Sequence, residues 1–354
     1  MQRGSVLVAP LNWGLGHATR CIPVINQLKS SGFTPIIASD GIALELLKKE
    51  FPNLTHYELP GIDIQYAKKG VWFKFKLFTQ LNQLNKCIRK EQTVLKQIIE
   101  AENLVGIISD NRLGLFHAKI PCVIISHQLN VLSGNTTWLT SRMHMQFLKK
   151  YNQCWVPDLE DDPNLSGRLG HVQTKDLTVK YVGVLSRFTK RKVAIEIDIL
   201  IVLSGPEPQR TLLEELLIEK LKDEPQKIVM VRGKIEDVQK RSKIGNITVF
   251  NFAKAKVLEE LILKSELVVA RSGYTTLMDL AKLDKKAFFI PTPGQTEQEY
   301  LANRLEGKRI APYIEQHKFE VSQLKRVKGF KGLGSIYRDN AVMPSKFFSL
   351  FDGK

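Results

Sequence analysis

The chain has 354 residues, 43% of them hydrophobic, enough for two cores of ordinary domain size. Its 52 lysines and arginines against 36 aspartates and glutamates give a formal charge of +16, which favours anionic partners; without a dense basic motif or a recognised module, nucleic-acid binding is not expected. No run approaches the roughly 18 apolar residues of a membrane span, no signal peptide precedes the first strand, and Cys21, Cys87, Cys122 and Cys154 lack the spacing of a zinc site or disulfide frame, so the expectation is a soluble, cytoplasmic, reduced protein.

In chain order, Ser5 to Pro10 reads as a buried strand, followed by Leu11-Asn12-Trp13-Gly14-Leu15-Gly16-His17-Ala18-Thr19-Arg20 and a helix through Leu28. Thr19 occupies the third glycine position of a dinucleotide fingerprint, so that reading is weak. Gly14, Gly16 and His17 at a helix start still make a turn suited to a phosphate or a sugar. An apolar run at Thr34 to Ala38, a helix from Gly41 to Lys49 and a short strand near Leu54 to Leu59 follow. Then Trp72, Phe73, Phe75 and Phe78 alternate with Lys68, Lys69, Lys74 and Lys76 in an expected helix. That composition suits an interfacial segment on an anionic bilayer, and equally a long helix with lysines in water.

Val105 to Asp110 and Cys122 to His127 read as parallel strands that leave Asp110, Asn111, Arg112, His127 and Gln128 at their carboxyl ends. Ligands bind at that edge of an open α/β sheet, which makes these residues candidates facing a cleft. Asn130 to Lys150, with Trp138 and two methionines, is a candidate acceptor-side wall, and Gln153 to Pro157 a further strand. A basic run from Arg187 to Lys192 then separates two strand patterns. The α/β alternation restarts at Ile199 to Leu203, with helices at Gln209 to Leu221 and Val257 to Leu263.

From Leu267 to Asn303 the pattern is strand, small-residue turn, helix, strand, loop and helix. Gly273 allows close backbone approach, the following helix offers unpaired N–H groups and a positive dipole end, and Ser272, Thr275 and Thr276 add hydroxyls. Arg271 adds a charge. Asp279 can accept from vicinal ribose hydroxyls, and Gln295, Glu297 and Gln298 from a sugar. Each of these residues is also an ordinary helix-start or solvated residue when taken singly.

The order Val-Val-Ala-Arg271-Ser272-Gly273, a Thr-rich helix with an acidic residue, then Pro-Thr-Pro and a Gln/Glu-rich loop ending in Asn303 resembles the donor-binding half of family 28 glycosyltransferases. That group includes the peptidoglycan N-acetylglucosaminyl transferase acting on lipid I. The resemblance implies a UDP-sugar in this segment with Asp279 on the ribose, where the family has Glu. It extends to the loop at Gly14, Gly16 and His17, although the family's fuller run of glycines is reduced and Trp13 intrudes. It also implies that Ser204 and Gly205 face the donor phosphates, with Pro206 removing one N–H, and that Phe252 packs by the base.

The resulting expectation is an α/β protein with two Rossmann-like parallel sheets facing a cleft, the GT-B architecture. Residues 1–185 would bind the acceptor and 186–340 the donor, with 341–354 a tail that packs back on the N-terminal half. The expected activity is inverting transfer of a sugar, N-acetylglucosamine by resemblance, from a UDP-sugar to a sugar or lipid-linked hydroxyl, with His17 or Asp110 as the base. A UDP-sugar hydrolase or epimerase on the same fold is the alternative. No DxD pattern stands at a strand end, so no metal or other cofactor is expected. Trp72, Phe73, Lys74, Phe75 and Lys76 are the expected contact with the inner face of the membrane.

Overall fold

The computed structural model describes residues 3–61, 73–132, 137–234, 236, 238–337 and 345–352, with backbone alone for 73–82 and 139. In the first half, β1 (Ser5–Pro10), β2 (Thr34–Ser39), β3 (His56–Glu58), β4 (Leu104–Asp110), β5 (Cys122–Ile125), β6 (Gln153–Val156) and β7 (Val179–Tyr181) form one parallel sheet. Its order is β3-β2-β1-β4-β5-β6-β7. The helices α1 (Gly16–Ser30), α2 (Gly41–Glu50), α3 (Phe73–Glu102) and α4 (Thr137–Leu148) belong to this half. Val6, Leu7, Val8 and Ala9 are all fully buried, as an uninterrupted apolar strand between two helical layers must be.

The order in which successive strands are added reverses between β1 and β4, which pair in parallel from Ser5 with Leu104 to Pro10 with Asp110. The crevice at their carboxyl ends is therefore the topological switch point, where this architecture binds ligands.

The second sheet contains β8 (Ile197–Val202), β9 (Ile228–Val231), β10 (Arg241–Ile244), β11 (Ile247–Phe250), β12 (Ser265–Ala270) and β13 (Lys286–Phe289), in the order β10-β11-β9-β8-β12-β13. Its helices are α5 (Gln209–Leu221), α6 (Ala255–Leu263), α7 (Tyr274–Lys282) and α8 (Thr296–Gly307). Here the switch point lies between β8 and β12, so the loops carrying Ser204 and Arg271 to Gly273 flank the crevice. The second sheet is parallel except at one edge. β10 runs antiparallel to β11, the short loop at Gly245 returning the chain as a hairpin.

Residues 345–351 form a 3-10 helix whose Phe348 and Phe351 are buried against Phe33 and Trp155 of the first half, with ring centroids 5.9–6.3 Å apart. Gly106 on β4 leaves the space that the Phe351 ring fills. Residues 345–351 thus pack against α1 and β4 of the first half.

Candidate active site

His17 stands in the first turn of α1, and its Nδ1 lies 2.9 Å from Oδ1 of Asp110, the last residue of β4. The paired switch-point strands bring these two residues together. With Nδ1–H donating to the carboxylate, Nε2 keeps its lone pair. Burial, followed by the nearby Arg20 charge, lowers the His17 pKa from its ordinary value, against the pull of Asp110. Burial alone would raise the Asp110 pKa, but Arg20 and His17 outweigh it and hold the carboxyl well below the usual range. Asp110 therefore stays ionised beside His17.

Arg20, which motif reading passes over, is the buried partner of this pair. Its Nε donates to Asp110 Oδ2 at 2.5 Å, one terminal nitrogen donates to Oδ1, and the other lies 3.2 Å from His127 Nδ1. The sequence signal is a single arginine at i+3 from His17, on a helix face that otherwise buries Cys21, Val24 and Ile25.

His127 follows β5, and its Nε2 meets Glu297 Oε1 from α8 at 2.9 Å. Gln128 donates to the other oxygen of Glu297. The His127 ring stacks on Tyr274, centroids 4.1 Å apart and 8° from parallel, and the Tyr274 hydroxyl donates to the Pro157 carbonyl at 2.9 Å. Candidates expected on opposite walls thus meet across the cleft.

On the donor side, α7 begins at Tyr274 with Gly273 as its N-cap residue, no side chain caps it, and nothing lies within 4 Å of where a Gly273 Cβ would be. Its first-turn amides, with half-buried Thr275 and Thr276, are positioned for an anion. Gly205, at φ +100 after β8, adopts a backbone that side chains disfavour and leaves open space in front of Thr292. Ser204 is exposed beside it, and half-buried Phe252 lies just beyond β11 on the same sheet edge.

Three expected ligand contacts are corrected. Arg271 points inward, donating to the Ile290, Pro291 and Gln209 carbonyls and to Gln316 Oε1 at 2.8–3.0 Å, and burial lowers its pKa to about 10. Its guanidinium ties β12 to the following loops and has no free fork for a diphosphate. Ser272 is fully buried and its hydroxyl donates to the Gln298 carbonyl at 2.7 Å. Arg112 likewise faces the protein, bound to Glu91, Asp40 and the Pro10 carbonyl, so it braces the β4 loop rather than lining an acceptor site.

Gln298 spans the second loop, accepting from Thr292 N–H at 2.9 Å and donating to Gln295 Oε1 at 2.5 Å. Both amide side chains are thus engaged in shaping that loop. Asp279 is half-buried, accepts from Ser186 Oγ at 2.5 Å, and is raised to about 6 by burial. Asn111 has a left-handed backbone at φ 58, and its buried Oδ1 lacks a partner among the described residues. Trp72 and the side chains of Phe73, Lys74, Phe75 and Lys76 lie outside the described residues. Among the described residues no three His, Cys, Asp or Glu side chains are grouped as a metal site requires, and no helix is long and apolar enough to cross a membrane.

Two α/β sheets with facing switch points, a His–Asp pair in one and an open helix terminus in the other, have the GT-B architecture. Residues 199–328 match the model of the glycosyltransferase family 28 C-terminal domain. The chain is 25% identical over 324 residues to an uncharacterized glycosyltransferase of Methanopyrus kandleri, covering 82% of this chain and 90% of that one. Its fold is similar to MurG of Acinetobacter baumannii, with a TM-score of 0.57, 14% identity, and coverage of 98% of this chain and 97% of that one. The glycosyltransferase VinC, solved in complex with dTDP, gives a TM-score of 0.60 at 14% identity with 98% of each chain covered.

Proposed function

We propose that this enzyme transfers a sugar, N-acetylglucosamine by family resemblance, from a UDP-sugar to an acceptor hydroxyl with inversion. The observation that carries the reading is the His17–Asp110 pair at 2.9 Å, set opposite the uncapped N-terminus of α7. His17 Nε2 takes the proton of the acceptor hydroxyl, the freed oxygen attacks the anomeric carbon, and the bond from that carbon to the diphosphate oxygen breaks. Asp110 stabilises the imidazolium that results, without taking a proton itself. The diphosphate leaves toward the α7 amides and the Thr275 and Thr276 hydroxyls, which offset its growing charge. Asp279 exchanges its Ser186 contact for the ribose hydroxyls.

The acceptor in this reading is lipid-linked, and the chain sits peripherally on an anionic cytoplasmic leaflet. The support is the alternation of Trp72, Phe73 and Phe75 with Lys74 and Lys76, together with the charge of +16. No divalent metal takes part. A thermal-shift screen of UDP-, GDP- and dTDP-sugars, followed by turnover with and without EDTA, tests the donor side. Stabilisation by UDP-sugars and EDTA-resistant transfer are expected. Binding confined to another nucleotide, or strict dependence on added Mg²⁺ or Mn²⁺, overturns it; rapid donor hydrolysis without acceptor would indicate a hydrolase instead.

A further inference from the structure

A buried guanidinium is unfavourable unless its donors are matched, and Arg20, only 2% exposed, matches them entirely within the active-site cluster. Two arms grip the two oxygens of Asp110 and the third reaches His127 Nδ1. We propose that Arg20 is a positioning residue for transfer: its fork fixes the Asp110 carboxylate beneath His17 and orients His127 toward Glu297 of the donor half. The inference rests on His17 being the base.

The bidentate grip leaves Asp110 one orientation, in which Oδ1 receives His17 Nδ1–H and Nε2 is directed away from the carboxylate. Because His127 Nδ1 accepts from Arg20, its Nε2–H is the group that donates to Glu297, so the guanidinium sets the tautomer of His127; the Arg20 nitrogen that binds Asp110 Oδ1 also lies 2.9 Å from His17 Nδ1 and holds that ring against the carboxylate. Charge matters as well as geometry. The groups around His17 are Arg20 and Cys21 on its own helix, Asp110 from β4, His127 after β5, Tyr274 from α7 and Glu297 from α8. Arg20 is the one fixed cation among them. Without it, Asp110 and Glu297 would favour the imidazolium more strongly against the burial that lowers the His17 pKa, so the base form of His17 would be lost at higher pH.

The test follows the His17 imidazole resonances against pH in the full chain, assigned by their loss in His17→Asn. In Arg20→Met the His17 midpoint should rise by about one unit or more. The acid limb of kcat/KM should move the same way, and kcat at pH 7 should fall at least about tenfold while the donor KM changes less than roughly threefold. Arg20→Lys keeps the charge and loses the fork, so its His17 midpoint should stay near wild type while kcat still falls. A folded Arg20→Met with an unmoved midpoint, or an Arg20→Lys with wild-type kcat, overturns the proposal; if Arg20→Met does not fold, Arg20→Lys decides. Full transfer by His17→Asn would instead remove His17 as the base, and the resonance midpoint would still report whether Arg20 controls the pair.

Discussion

Gly16 at the start of α1 faces Thr275 at the start of α7, so closely that a Cβ on Gly16 would stand 2.8 Å from the Thr275 Oγ1. The glycine is needed for this approach of two helix termini from opposite halves, each bringing a positive dipole end to one cleft. Gly16→Ala is compatible with a helical first turn and should change stability by less than about 1 kcal/mol. It must turn the Thr275 hydroxyl aside, and UDP affinity should weaken by about 1 kcal/mol, the usual worth of one hydrogen bond. Unchanged affinity in calorimetry would take Thr275 out of the diphosphate site.

The His17–Asp110 pair acts as a unit, so its single and double variants should not add. His17→Ala should lower kcat by roughly 10² to 10⁴ with little change in donor affinity. Asp110→Asn should lower it nearly as far, because the amide cannot stabilise an imidazolium, and the double variant should be little worse than His17→Ala. Independent, multiplying losses would show that the two carboxylate and imidazole groups work separately.

Arg271 is expected to matter for stability, not for ligand affinity. Its guanidinium satisfies four acceptors in the turn between β12, β13 and α5, and Arg271→Met strands those buried carbonyls. A loss on the order of 3 kcal/mol is expected in denaturant unfolding, with UDP affinity of the folded fraction intact. A stable variant with lost nucleotide affinity would mean that the side chain turns toward ligand when donor is bound.

The central strands were legible because each is an unbroken apolar run buried on both faces, and the two-sheet architecture followed from their alternation with helices. The edges were not. The sequence Arg241-Ser-Lys-Ile of β10 carries no apolar alternation, and it is a strand because β11 offers it an unpaired edge. At the site, His17 is recognisable at a helix start and Asp110 at a strand end, but only the β1–β4 adjacency makes them partners. Arg271 and Arg112 show the limit of reading a charge at a loop as a ligand contact. Whether an arginine faces solvent or a set of buried carbonyls depends on where later loops pass, which local spacing does not encode.

Asp279 should trade stability for affinity. Burial raises its carboxyl to about 6 in the folded chain, above its unfolded value, so its favourable contribution is present below about pH 4 and lost as pH rises through 6. At pH 7.5 the ionised form is a liability that Asp279→Asn removes, while the amide oxygen still accepts from Ser186. The variant should therefore melt at or above wild type at pH 7.5, with the difference vanishing near pH 4. UDP binding should weaken by about 1.5 to 3 kcal/mol, the range for hydrogen bonds to a charged group. A lower melting temperature at pH 7.5 would contradict the burial argument, and unchanged UDP affinity would remove Asp279 from the ribose site.

The location of the acceptor is open to a direct test through the segment preceding and opening α3. An acceptor held in the cytoplasmic leaflet would account for Trp72, Phe73, Phe75 and Phe78 being interleaved with Lys68, Lys69, Lys74 and Lys76. Each lysine near an anionic surface contributes about 1 kcal/mol, falling off within a Debye length, and aromatic rings enter the headgroup region beside them. Wild type should co-sediment with anionic but not with neutral vesicles, and should be released as salt rises. Changing the four lysines to glutamate should abolish pelleting and slow transfer to a vesicle-embedded acceptor, while leaving UDP affinity and melting temperature near wild type. If wild type stays in the supernatant with anionic vesicles at low salt, the aromatic residues belong to an ordinary core-facing helix surface and the acceptor is a soluble sugar.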